Sequence, residues 1–226
     1  MALKQIKLIA LQIAVFLLSV WALVAAAYYL DKSPPKINGV VIPNAQTLKS
    51  FSLVSHRNTA YDNQSLIGNW HILSYGYTDC PDICPTTLAL LAQVEQKVIA
   101  SGEYTDLEIL FYTIDPQRDT VVKLAQYMPF FSSRFTGLTP SLQSNSYIDF
   151  EQSLGIQGVL TPLPAGNSDF KGYSVSHGVM LYVLNAEGKL QAILKPDVDL
   201  QGIHSFDSEK IYQDYRALRN YFPDPV

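Results

Sequence analysis

Apolar residues are distributed along this chain in two ways. From Leu8 to Leu30 they run on without a charge, "LIALQIAVFLLSVWALVAAAYYL". At about 1.5 Å per residue, a helix of this length crosses a hydrocarbon core of about 30 Å with some tilt. A membrane anchor over residues 1–30 is the favoured reading. A cleaved secretory signal is its rival, with small residues in "AAAYY" as a cleavage site. Either reading exports the remainder. Lys4 and Lys7 before the span favour a cytoplasmic N-terminus, although Lys32 and Lys36 follow closely. The expected placement is the bacterial inner membrane, crossed once, with the domain in the periplasm.

Beyond the span, "DKSPPKINGVVIPNAQTLKS" is rich in proline and polar residues and reads as a tether over residues 31–50. From residue 51 to 226, short apolar runs alternate with helical periods. "FSLV" predicts a short strand, and "TAYDNQSLIGNW" a turn into the core. "WHILSYGY" predicts a core strand, "TTLALLAQVEQKVIASG" a helix stopped at Gly102, and "LEILFYTI" a second apolar strand. Asp119 or Thr120 is placed to cap a short helix over "VVKLAQYM". A brief strand in "RFTGLTP", a helix within "SLQSNSYIDFEQSLG", two strands around the "NAEG" turn and an amphipathic helix in "SEKIYQDYRALRNYF" complete the order. This β-α-β-α sequence, then a hairpin and a last helix, predicts an α/β, thioredoxin-like three-layer sandwich with a mixed sheet, preceded by the transmembrane helix.

Composition narrows the function. A chain of 226 residues builds an adequate core without a disulfide. The formal charge of -4 leaves no basic footprint, so nucleic acid is not an expected partner. The two cysteines, Cys80 and Cys84, both fall in "GYTDCPDICPTT", between the first core strand and its helix. A thiolate is favoured near a helix N-terminus, and Pro81 or Pro85 is suited to begin that helix. Closing so short a loop removes little unfolded-state entropy, which argues against an inert staple. A redox pair and a metal pair remain, and the metal pair is favoured.

A metal needs more than two sulfurs. His71 falls inside a strand and reads as a packed residue, His56 lies in a turn, and His204 in a solvated loop. His177, in "GYSVSHGVMLYVL", begins the late strand at the same kind of strand end as the cysteine loop; its bland alternative is a polar residue closing a strand. Thioredoxin-like oxidoreductases generally carry a cis-proline before this strand, and "VSHGV" has none. Two thiolates and an imidazole suit Cu(I), with zinc as the generic competitor.

These segments closely resemble the Sco (SCO1/SenC) family of membrane-anchored, thioredoxin-like copper proteins. The resemblance is carried by "GYTDCPDICPTTL" at 76–88, "IDPQRDT" at 114–120 and "YSVSHGVMLYVLNAEGKL" at 173–190, and spans Phe51 to the C-terminus. It implies Cys80, Cys84 and His177 as ligands of copper, as Cu(I) or Cu(II). It also implies a metallochaperone that assists assembly of the binuclear copper centre of cytochrome c oxidase. Implied partners are the oxidase's copper-bearing subunit, a copper donor protein and a thiol reductant. The alternatives are an exported thiol-disulfide oxidoreductase, with Cys80 and Cys84 as redox-active residues, and a copper sensor or buffer. Two positions depart from the family: Asp79 stands where histidine is frequent, and Ser176 where aspartate is. Asp79 is expected to oppose a thiolate by like charge. Asp82 reads as a helix-start residue, Asp115 and Arg118 as a loop-ordering pair, and Tyr77 and Tyr173 as aromatic walls.

Overall fold

The computed structural model describes residues 2–30, 33–141, 144–162 and 173–223. The chain divides into two units, Met1–Pro34 and Pro35–Val226. The first contains helix α1 (Ala2–Leu30), whose stretch Gln5–Ala27 is long and apolar enough to cross a membrane.

In the second unit the chain order is β1 (Gly39–Gln46), β2 (Ser52–Ser55), β3 (Ala60–Asp62), β4 (Trp70–Gly76), α2 (Ile83–Ser101), β5 (Leu107–Thr113), α3 (Val121–Tyr127), β6 (Thr136–Pro140) and α4 (Tyr147–Leu154). It continues with β7 (Gly158–Pro162), β8 (Tyr173–His177), β9 (Leu181–Leu184), β10 (Leu190–Leu194), β11 (Asp197–Val198), β12 (His204–Ser205) and α5 (Ser208–Tyr221). Eight strands form one sheet in the order β1-β10-β9-β4-β5-β6-β2-β3. The pairs β4–β5 and β5–β6 are parallel, and the other pairs are antiparallel.

Alternation along the central strands divides the core in two. Ile109 and Phe111 of β5 pack with Leu88, Leu91 and Val94 of α2 and with Tyr215 and Leu218 of α5. Leu110 and Tyr112 point the other way, into a cluster with Phe51, Phe150 and Leu154. Strand β4 is buried along its whole length, as expected of a central strand covered on both faces. The result is the thioredoxin-like three-layer sandwich with a mixed sheet. Helix α2 ends where Gly102 adopts φ 67° and caps it. Thr120, rather than Asp119, caps α3 by accepting the Lys123 N–H.

The segment read as tether contributes to the sheet. Residues 39–46 form β1, antiparallel to β10, with an irregularity in register between Val41 and Gln46. Pro43 hid this strand in the sequence. An edge strand tolerates proline where a central one does not. The segment from Thr59 to Trp70, read as a turn, includes β3 and a short 3₁₀ turn capped by Asp62, whose carboxylate accepts from the N–H groups of Gln64 and Ser65.

Candidate metal centre

Cys80 lies in the connection from β4 to α2, and Cys84 in the first turn of α2. After Gly76 the chain turns, the Cys80 N–H donating to the Tyr77 carbonyl at 3.2 Å, and α2 opens at Ile83 with Asp82 at the cap position. Neither Pro81 nor Pro85 begins the helix. Pro85 falls in the first turn, where backbone N–H groups have no intrahelical partner, so its ring removes no bond the helix needs. The Cys84 N–H is another such orphan, and it donates to Cys80 Sγ at 3.4 Å. Asp82 makes no side-chain cap bond; its carboxylate accepts from Thr86 Oγ1, at 3.5 Å. Gly76 makes room for the second sulfur, since a Cβ there would overlap Cys84 Sγ.

His177 arrives from a different element than expected. It closes β8 instead of opening the late sheet strand, which begins at Leu181. Strands β7 and β8 form a separate hairpin with Gly158 opposite His177 and Pro162 opposite Tyr173. A polar residue at a hairpin's end is free to leave the strand plane, and His177 Nε2 lies 3.7 Å from Cys84 Sγ. The ligand atoms of Cys80, Cys84 and His177 lie within 4.8 Å of one another, the one such group of three among the described residues. His177 Nδ1 is 2.6 Å from the Gly178 carbonyl. A carbonyl only accepts, so Nδ1 carries the hydrogen and the Nε2 lone pair is left for a ligand bond. The imidazole sits against Tyr75, at 5.4 Å between ring centroids, and edge-on to Tyr77 at 6.0 Å. Tyr77 is therefore the aromatic wall expected of it. Tyr75 was not singled out, although its two-residue spacing from Tyr77 was the available signal.

The sulfurs are buried, with 8% and 3% of their residues exposed. A hydrogen bond between them lowers the Cys80 thiol to about 4, against the effect of burial and with further help from the N–H groups of Cys84 and Asp82. The same bond, together with burial, pushes Cys84 upward. The two shifts run in opposite directions, so the pair favours a singly protonated state with negative charge drawn toward Cys80, near the α2 N-terminus.

The carboxylate of Asp79 does not confront this thiolate unpaired. Lys123 Nζ lies 2.6 Å from Asp79 Oδ1 and 3.7 Å from Asp119 Oδ1. The like charge anticipated from the sequence is offset by a lysine on α3. Ser176 is exposed. Asp115 and Arg118 do form a buried ion pair, and Tyr173 packs on Arg118 instead of on the histidine. The other histidines stay apart from the cysteines. His56 Nδ1 accepts the Gly137 N–H at 3.0 Å, buried His71 lies 3.4 Å from the Glu108 carboxylate, and His204 is exposed in β12, on a groove shared with His177 and Met180.

Known proteins are similar to this chain in sequence and fold. The sequence model described as SCO1/SenC matches residues 41–205. A protein of Stutzerimonas stutzeri, whose name proposes copper binding, is 30% identical over 74% of this chain and 78% of its own length. The mitochondrial SCO2 homologue of Bos taurus is 34% identical over 61% of this chain, a match that spans only 50% of the bovine protein. Among solved structures, Arabidopsis thaliana ScoI with copper bound superposes with a TM-score of 0.64 at 25% identity, covering 77% of this chain and 99% of that one. With a family match over most of its folded domain, and with the paired cysteines and distant histidine brought together by that fold, the chain belongs to the SCO1/SenC family.

Proposed function

We propose that this protein is a copper metallochaperone that assists assembly of the binuclear copper centre of cytochrome c oxidase, binding copper through Cys80, Cys84 and His177. The observation that carries the reading is the convergence of two sulfurs and one imidazole nitrogen to within 4.8 Å, with Nδ1 held by the Gly178 carbonyl and Nε2 turned toward the sulfurs. The donor set fits the ion: soft, low in number and anionic at Cys80, it suits Cu(I) better than a metal seeking four ligands. Three donors about 2.3 Å from one ion stand about 4 Å apart, so binding asks only a small closure. The cargo is held by the protein's own groups in complementary roles. Cys80 offers a thiolate, Cys84 gives up its proton on binding, and Gly178 fixes the imidazole tautomer. The oxidase as acceptor comes from the family resemblance. Helix α1 would hold the domain on the periplasmic side of the inner membrane, where that acceptor is reached.

A second reading, thiol-disulfide exchange with an acceptor's cysteines, is favoured by one observation: the unequal thiols, with Cys80 as the anionic member. The variant His177→Ala separates the two. In detergent-solubilised protein kept reduced, it should weaken Cu(I) binding by at least about tenfold, as loss of a ligand bond requires, leave the apoprotein melting curve near native and preserve thiol exchange. Native copper affinity in this variant would remove His177 from the ligand set and leave the oxidoreductase reading standing.

A further inference from the structure

We infer that the segment from Ile114 to Asp119 is a two-sided clamp that sets the separation between the cysteine pair and His177. The inference rests on reading those three residues as the copper ligands. Asp115, Arg118 and Asp119 are then positioning residues, acting through the arms they hold.

The cysteine arm is fixed by Asp119. Its carboxylate is wholly buried and accepts from the Thr78 N–H at 2.8 Å, from Thr78 Oγ1 and from Thr113 Oγ1 at 2.7 Å. Thr78 stands two residues before Cys80, so this one carboxylate fixes the path by which the chain enters the site. The Ile114 N–H donates to the Gly76 carbonyl at 2.9 Å and closes the same side.

The histidine arm is the hairpin β7–β8, which among the described residues forms a two-stranded sheet of its own. A two-stranded hairpin is marginal by itself in water, so its placement depends on what it rests upon. At its Tyr173 end, the phenol donates to Asp115 Oδ1 at 2.6 Å. Arg118, ion-paired with Asp115, donates through Nη1 to the Tyr173 carbonyl at 3.4 Å and lies 4.2 Å from the centroid of the Tyr173 ring. At its His177 end, the facing Gly158 lies on Ile114, where an added Cβ would come within 3.2 Å of Cδ1. Both ends of the hairpin thus rest on the segment that grips the cysteine loop. No direct hydrogen bond needs to join the two arms, because each is referred to the same short stretch of backbone.

The arms are tested separately with two variants that keep size and remove one hydroxyl each. Tyr173→Phe should weaken Cu(I) binding about tenfold, the lower end of what loss of an outer partner costs a metal site, and should have no effect in a His177→Ala background, where the arm it positions no longer supplies a ligand. Thr78→Val should weaken binding by the same factor in both backgrounds, because the cysteines remain. In the copper-free proteins, hydrogen exchange should quicken in residues 158–162 and 173–177 for Tyr173→Phe, and in residues 77–84 for Thr78→Val. A merely structural tyrosine would lower affinity equally with and without His177, and that result, or native exchange in the hairpin, overturns the clamp. Failure of the unmutated protein to bind copper would instead overturn the ligand assignment, and the exchange pattern would then decide the clamp alone.

Discussion

At the scale of single residues, the two sulfurs are pushed in opposite directions by the hydrogen bond between them. The downward shift of Cys80 comes first from the Cys84 hydrogen bond, and the upward shift of Cys84 from that same bond and from burial. Because the folded Cys80 thiol is depressed, its contribution to stability is present above the ordinary thiol range and is lost as pH falls through about 4. Reactivity follows the same sign. In the reduced apoprotein at pH 6, iodoacetamide should label Cys80 first and Cys84 only slowly, as read by mass spectrometry of the 77–97 region. Equal labelling of the two would mean that no proton is held between them. These candidate ligands were legible in the sequence because so few residue types can supply soft donors, and only two cysteines and four histidines were available. Their neighbours were not. Lys123 reaches Asp79 from another element, and Asp119 reaches back to Thr78; pairings of that kind depend on where a helix lies, which spacing along one chain does not encode.

At the scale of elements, the strong periodicities translated directly. The apolar runs became β4 and β5, and the leucine spacing became α2, because strands covered on both faces and helices with one buried stripe leave a plain mark on composition. Weaker features escaped, among them the start of α2. Helix α2 begins between two prolines, either of which satisfies the usual preference for the first turn. Hairpin β7–β8 hid the element that carries His177, since its strand β8 is followed within a few residues by the sheet strand β9, and one apolar run was read where there are two. Strand β1 looked like linker because its exposed edge permits polar residues and Pro43. In each case the missing information was tertiary: what lies beside the segment decided its conformation more than its own propensities did.

At the scale of the whole molecule, helix α1 and the domain make separable claims. The lysine-led span predicts that residues after α1 leave the cytoplasm. An alkaline phosphatase fused after Val226 should be active in cells, and a fluorescent protein that matures only in the cytoplasm should stay dark there; the reverse pattern would overturn the orientation. The domain's own lower limit is set by β1. Its residues 39–41 pair with Ile193, Leu194 and Ala192 of β10, and Gln191 Nε2 donates to the Ile42 carbonyl at 2.6 Å. A fragment that begins at Phe51, after the apparent linker, would strip that pairing away and leave β10 as a bare edge with buried Leu190, Ala192 and Leu194 alongside. Such an edge is a template for other chains. The fragment starting at Phe51 should therefore elute as oligomers in size-exclusion chromatography, whereas one starting at Pro35 should run as a monomer. The strand that follows helix α1 thus guards against self-association, and proteolysis that removed it would turn the domain into a seed for aggregation.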